Sequence, residues 1–233
     1  MVATSGPPLP IDVVSDVVCP WCYIGKRRLE RAIALTPEIP VEVRWHPYFL
    51  NPWVPRGGMT RSEYLTTKFG SVDRYRGIAQ RVTAAAAEEG LVYAADKIAR
   101  QPNTLDCHRL ILWAANGGAA GPMKQRLMEL YFAEGADLSD PDVLVGAAVA
   151  CGLDGELVRR RLADDTDVAQ VEAAANSAKE AGIDGVPCFI VGGVLAVSGA
   201  QAPDDLADAI VRAATERRRR QDEPLAAGAA TAG

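Results

Sequence analysis

The chain has no apolar run near the roughly 20 residues that a membrane-spanning helix needs; the longest, Leu144 to Leu153, stops at about ten. A membrane protein is not expected. It also lacks positive excess. Against 30 Asp and Glu stand 25 Lys and Arg, giving a net charge of −5 and a pI near 5.2, so no global basic field exists to attract nucleic acid or anionic lipid. The one cationic block, Arg217 to Arg220, ends a predicted last helix, where cations meet the C-terminal dipole and water. The first ten residues lack the basic start and apolar core of an export signal and hold Pro7, Pro8 and Pro10, which points to the cytoplasm. No second CxxC and no HxxxH occur. His46, His108, Cys107, Cys151 and Cys188 are scattered, so a four-ligand zinc site is not expected, nor any other metal or bound cofactor. Five cysteines, an odd number, suit a reducing compartment better than a disulfide-stapled secreted domain.

What is present starts with size and apolar content. With 233 residues, 48% of them hydrophobic, the chain can bury one large core, or a core and a satellite domain. Its most informative segment is Cys19-Pro20-Trp21-Cys22. An apolar run bracketed by Asp12 and Asp16 precedes it and reads as a strand; Tyr23, Ile24, Leu29, Ala32 and Ile33 follow at helical spacing. Pro20 falls where a first-turn proline is tolerated. Two thiols one turn apart at a helix start can join as a disulfide, and the helix end favours the thiolate of the first. In this strand-to-helix setting a CxxC reads as a redox dithiol rather than half of a metal site.

Further along, Val41 to His46 alternates apolar and polar residues, a strand at period two ending in Pro47. Asn51 to Gly58, rich in proline and glycine, is a loop. From Thr60 to Gly182 the period is helical, broken at Gly70, Gly90, Gly117-Gly118, Gly135, Gly152 and Gly182, which predicts an all-helical block. Cys188 to Val191 and Val194 to Val197 flank Gly192-Gly193 and read as a hairpin. A helix opening at Pro203 runs to about Arg220. The strands of both halves must share one sheet, because neither half buries its apolar faces alone.

This order, β-α-β, helical block, β-β-α, resembles the DsbA family of thioredoxin-fold proteins, and within it the FrnE-like cytosolic oxidoreductases. The matching stretches are Ser15 to Gly25, Phe49 to Pro52, Tyr64-Leu65 with Lys68 to Gly70, Asn103-Thr104 with His108 to Leu110, Gly185 to Pro187, and Val197 to Gln201. The resemblance implies an α/β class: a thioredoxin-like fold over residues 10–58 and 183–220 and an inserted helical domain over 59–182; the tail over 221–233, alanine- and glycine-rich, has too little apolar bulk to stay ordered. The resemblance implies thiol-disulfide exchange on protein or small-molecule substrates. It also implies that Pro187 is cis and stands beside the dithiol, with the Val186 backbone offered to an extended substrate.

On this reading Cys19 is the exchanging thiol, nearer solvent, with a pKa below ~8.5 and within the ~3.5–7.5 range of such sites, mainly through the helix N-terminus. Cys22 resolves the mixed disulfide, and Pro20 and Trp21 tune the thiolate and so the redox preference. Asp16 is either a turn or cap residue or a proton acceptor. His108 shares the apolar face of Leu105, Leu112 and Ala115, which predicts a semi-buried histidine; the resemblance implies that it lines the substrate groove. Cys188 either joins the dithiol as a third thiol or points into the core. Cys151 reads as core, His46 as a strand-end residue, and Trp45, Trp53 and Trp113 as packing residues. The buried acid that thioredoxin-like relatives carry six residues before the first cysteine is replaced by Val13. A competing class is the glutathione-dependent isomerases and transferases of the kappa and 2-hydroxychromene-2-carboxylate type, with a link to polyketide metabolism; these generally place serine at the position of Cys19. Glutathione is in either case a candidate co-substrate.

Overall fold

The computed structural model of the chain describes residues 7–222. The expected tail falls outside them, apart from the last two residues of the final helix. Four strands form one mixed sheet in the order β2-β1-β5-β6: β1 (Leu9–Ser15), β2 (Val41–Pro47), β5 (Cys188–Val191) and β6 (Leu195–Ser198). β1 runs parallel to β2, pairing Val13 with Trp45, and antiparallel to β5, pairing Val14 with Cys188. A parallel neighbour demands a crossover, and α1 (Pro20–Leu35) supplies it. The hairpin between β5 and β6 turns through Gly192 and Gly193 at φ 65° and 70°, with the Val194 N–H donating to the Val191 carbonyl. Two consecutive positive φ angles make the turn that suits strand twist, and glycine reaches them without a Cβ clash.

Alternation along β1 sends Leu9, Ile11 and Val13 to one face, where with Phe189 and Val191 they meet Leu29 and Ala32 of α1 and Leu206, Ile210 and Ala213 of α9 (Pro203–Asp222). On the other face Val14, Tyr48 and Cys188 pack against Ala178 of α8 (Val168–Glu180). Both halves of the chain thus build one sheet.

Between β2 and β5 lie seven of the helices: α2 (Arg61–Phe69), α3 (Val72–Glu88), α4 (Leu105–Ala115), α5 (Ala120–Glu129), α6 (Pro141–Ala150), α7 (Gly155–Leu162) and α8. α2 starts at a reciprocal cap in which Thr60 and Glu63 satisfy each other's N–H groups. α5 runs on into a π turn, Leu130–Glu134. The segment is not wholly helical. β3 (Met59–Thr60) and β4 (Arg100–Gln101) form a two-residue antiparallel ladder, too short to leave an alternating pattern in the sequence. Gln101 is buried there and accepts hydrogen bonds from Arg61 and Tyr131.

The residues that leave β1, from Val17 to Ile24, do not join the sheet core. They enter the large cluster of the helical segment, with Cys107 and Leu110 of α4 and Met123 and Leu127 of α5. The CxxC therefore sits at the seam between sheet and helices.

Candidate active site

Cys19 is the N-cap residue of α1, extended at φ −89° and ψ 113°, and Pro20 occupies the first turn. Proline there sacrifices no hydrogen bond, since first-turn N–H groups have no intrahelical acceptor. The Cys19 carbonyl accepts from the Cys22 and Tyr23 N–H groups. Both cysteines are free thiols, 4% and 1% exposed, so the first is scarcely nearer solvent than the second. Cys19 is the more exposed of the two, but by little, and the Val186 carbonyl lies against its sulfur. Trp21, at 38%, is the exposed member of the motif.

The two thiols are driven apart in acidity. Hydrogen bonding from the Cys22 thiol holds Cys19 below the ordinary thiol range, against burial, with the Cys22 and Trp21 backbone N–H groups adding to it and the Asp16 charge opposing it. The helix start thus contributes, but the partner thiol contributes most. Burial first, and the Cys19 sulfur second, push Cys22 well up.

The Val186-Pro187 peptide is cis, and the Val186 carbonyl lies 3.6 Å from the Cys19 Sγ, which donates to it. Pro187 reaches this place because Gly25, one turn into α1 beyond Cys22, has no side chain. Neither sequence spacing nor composition singles out Gly25 for that task.

Beneath the dithiol is a buried polar group. Asp16, fully buried, accepts the Leu50 N–H at 2.8 Å and lies 3.3 Å from the His108 Nε2. Burial raises its pKa, but His108, the Leu50 N–H and Thr104 outweigh that and leave it below the usual carboxylate range. Burial also lowers His108 despite the carboxylate, so at neutral pH the pair is a carboxylate accepting a hydrogen bond from a neutral ring. Asp16 is not the cap of α1. Its side chain ties the loop after β2 to the start of the helix, while its carbonyl receives the Cys19 N–H. His108 is buried rather than semi-buried, edge-on to Phe49. Its neighbour Arg109 is fully buried and closes the 161–166 loop through the Thr166 and Asp164 carbonyls.

A cavity of about 560 Å3 runs along β2 under α4, α5 and α8; His108 and Lys124 form part of its wall, and neither cysteine does. Lys124 is 1% exposed and escaped the sequence reading, because a lysine in a helical pattern is ordinarily a solvated one. Cys188 points into the core against Val14, Tyr48 and Ala178, and burial raises its pKa. That closes the third-thiol alternative. Cys107 is fully buried with its pKa pushed well up. Cys151 lies half-buried against the helical core. His46 pairs with Val14 across the sheet and bonds Asp12 at 2.8 Å. Trp113 is buried and donates to Asp167; Trp53, stacked on Tyr64, is 43% exposed. Among the described residues no three His, Cys, Asp or Glu side chains converge as a metal site, and no helix is long and apolar enough to cross a membrane.

Known proteins share this fold. A probable DsbA oxidoreductase of Streptomyces coelicolor has a crystal structure that superposes with a TM-score of 0.85 at 33% identity, covering 96% of this chain and 95% of that one. The cytosolic disulfide reductase DsbM of Pseudomonas aeruginosa, solved with GSH, superposes at 0.59 with 20% identity, over 91% of this chain and 100% of its own, a likeness of fold. YwbO of Bacillus subtilis is 29% identical over 202 residues, 86% of this chain and 94% of that protein. The model of the DSBA-like thioredoxin domain matches residues 10–211, from the first strand through the intervening helices to the last. With the match running through both halves of the sheet and all that lies between them, the chain belongs to the DSBA-like thioredoxin domain family.

Proposed function

We propose that the chain is a thiol-disulfide oxidoreductase in which Cys19 exchanges with the substrate and Cys22 resolves the mixed disulfide. The observation that carries this reading is the opposed acidity of two adjacent thiols, Cys19 lowered and Cys22 raised, at the start of one helix and against the Val186 carbonyl. The lower thiol is the one ionised for attack, and the higher one stays protonated until a disulfide forms beside it. Pro20 and Trp21 set the geometry of the N–H groups that face the Cys19 sulfur and so tune the pair. Among the described residues the Val186 N–H has no backbone partner, which leaves it to an extended substrate segment next to Pro187. His108 acts through Asp16, holding the charge that faces Cys19. A reducing, cytoplasmic compartment suits a dithiol with three further free cysteines. Glutathione is the co-substrate suggested by the DsbM structure with GSH.

The glutathione-dependent isomerase class would need neither thiol of the pair. Turnover of a generic protein disulfide by wild type, Cys19→Ser and Cys22→Ser, with and without glutathione, separates the two. Loss of turnover in Cys19→Ser without glutathione supports the oxidoreductase. Turnover that needs glutathione but survives loss of both thiols rejects it.

A further inference from the structure

Three helices and an edge strand meet without filling the space between them. β2 borders the sheet, and its residues from Glu42 to Pro47 face α4, α5 and α8 across the cavity of about 560 Å3. Each helix presents one face at helical spacing: Ile111, Leu112 and Ala115 of α4, then Val171 and Ala174 of α8. α5 contributes Ala120 and Gly121, so close to the strand only small residues stand and no side chain fills the gap. The volume falls within the roughly 300–1,000 Å3 of small-molecule sites.

Into this mostly apolar space is set a cation without a counter-charge. Lys124, on the same face of α5 as Ala120 and Gly121, is 1% exposed. Its Nζ stands 5.4 Å from the centroid of the Trp45 ring, itself part of the wall. No hydrogen bond or ion pair reaches that ammonium from a described residue. Lys26, which also approaches the Trp45 ring, has Glu30 as its partner. Glu42 is the one acidic residue of the wall, and Arg44 engages it. Asp16, behind His108, is taken by the Leu50 N–H and by His108 itself. A buried ammonium left unpaired is costly. Burial brings its pKa down to about 8, which still leaves the charged form the major one at pH 7.

We propose that the cavity along β2 binds a small organic carboxylate with an apolar body, its carboxylate on Lys124 and its body between Trp45, Ile111, Leu112 and Val171. The carboxylate supplies the charge-assisted hydrogen bond that the ammonium lacks. The apolar remainder leaves water for walls of its own kind. Inorganic phosphate does not suit the site, because a dianion would meet one cation and then apolar walls where it needs further donors. Neither cysteine lines the cavity, so the site is separate from the dithiol and does not rest on the role given to Cys19.

The test is calorimetric titration of the full chain at pH 7 with octanoate and phenylacetate, with octanamide and inorganic phosphate as controls. Octanoate should bind one to one and about tenfold or more tighter than octanamide, its uncharged match in shape. In Lys124→Met octanoate and octanamide should bind alike. Loss of that preference is a readout that a merely structural lysine would not move. Ala174→Leu, which puts side chain into the cavity, should weaken octanoate by about tenfold. Saturation by neither carboxylate at millimolar concentration would leave the cavity to water and overturn the proposal. So would octanamide or phosphate binding as tightly as octanoate, a preference that survives Lys124→Met, or an affinity untouched by Ala174→Leu. Should a variant fail to fold, the wild-type comparison of octanoate with octanamide still decides.

Discussion

A Cβ placed on Gly25 would stand 2.9 Å from Cγ of Pro187, with the Phe189 ring at 3.2 Å and Ala200 at 3.5 Å. The helix that carries the dithiol and the strand that carries Val186 approach each other through that missing methyl. The pyrrolidine ring is held by its own backbone and gives little way. Gly25→Ala should therefore cost about 1–3 kcal/mol of stability, the usual cost of overpacking, and slow Cys19 exchange by displacing the Val186 carbonyl. Urea unfolding and a rate of disulfide reduction check both; a variant as stable and as fast as wild type would show that the seam is loose.

Asp16 opposes ionisation of Cys19. Asp16→Asn keeps an oxygen for the Leu50 N–H but removes the charge. The Cys19 thiolate should then titrate at lower pH in ultraviolet absorbance, and the disulfide should become more oxidising. A titration that stays in place or moves upward contradicts the through-space role of the carboxylate.

Stability should drain on the acid side in two stages. His108 has a folded-state pKa below its ordinary 6.5, because burial disfavours the charged ring. Its contribution is whole above about pH 6.5 and is lost as pH falls through the window beneath, where the unfolded chain binds the proton more readily. Glu89 is also lowered: burial opposes this, but Arg31 and Arg28 outweigh it. Asp16 is lowered likewise. Their contributions are whole above the ordinary carboxylate values and go as pH falls below about 4.5. Urea midpoints measured from neutral to acid pH should begin to fall near pH 6.5 and steepen near pH 4.5. Midpoints flat to pH 5 would count against the buried neutral histidine.

Lys124 carries the opposite consequence for stability. Its depressed folded pKa means that burying the ammonium costs stability at pH 7, a penalty that fades as pH rises from about 8 to 10.5. A fall of this size corresponds to up to about 3 kcal/mol, reduced by the lost contact with the Trp45 ring. Lys124→Met should thus be more stable than wild type at pH 7 and lose the advantage in alkaline buffer. A destabilised variant at pH 7 would mean that the ammonium has a partner.

Much of the site was legible because its signals are local. The strand before Cys19, the helix after it and the hairpin at Gly192-Gly193 each follow from a few neighbouring residues, and the structure has all three. The side on which Cys188 points was not legible: a four-residue strand buried on both faces lacks the polar alternation that would tell them apart. The near-equal burial of Cys19 and Cys22 comes from the helical cluster they enter and from Val186, whose carbonyl reaches the Cys19 sulfur from a distant segment. Lys124 and Gly25 were missed for the same reason. Their importance lies in what α5 and β5 bring against α1, and nothing near them in the chain records it.

The most direct test of the account is to react Cys22→Ser with a peptide disulfide and map the product by mass spectrometry. The account predicts one stable mixed disulfide, on Cys19, that wild type does not accumulate. No adduct on Cys19, or an adduct on Cys107, Cys151 or Cys188 in its place, would contradict it.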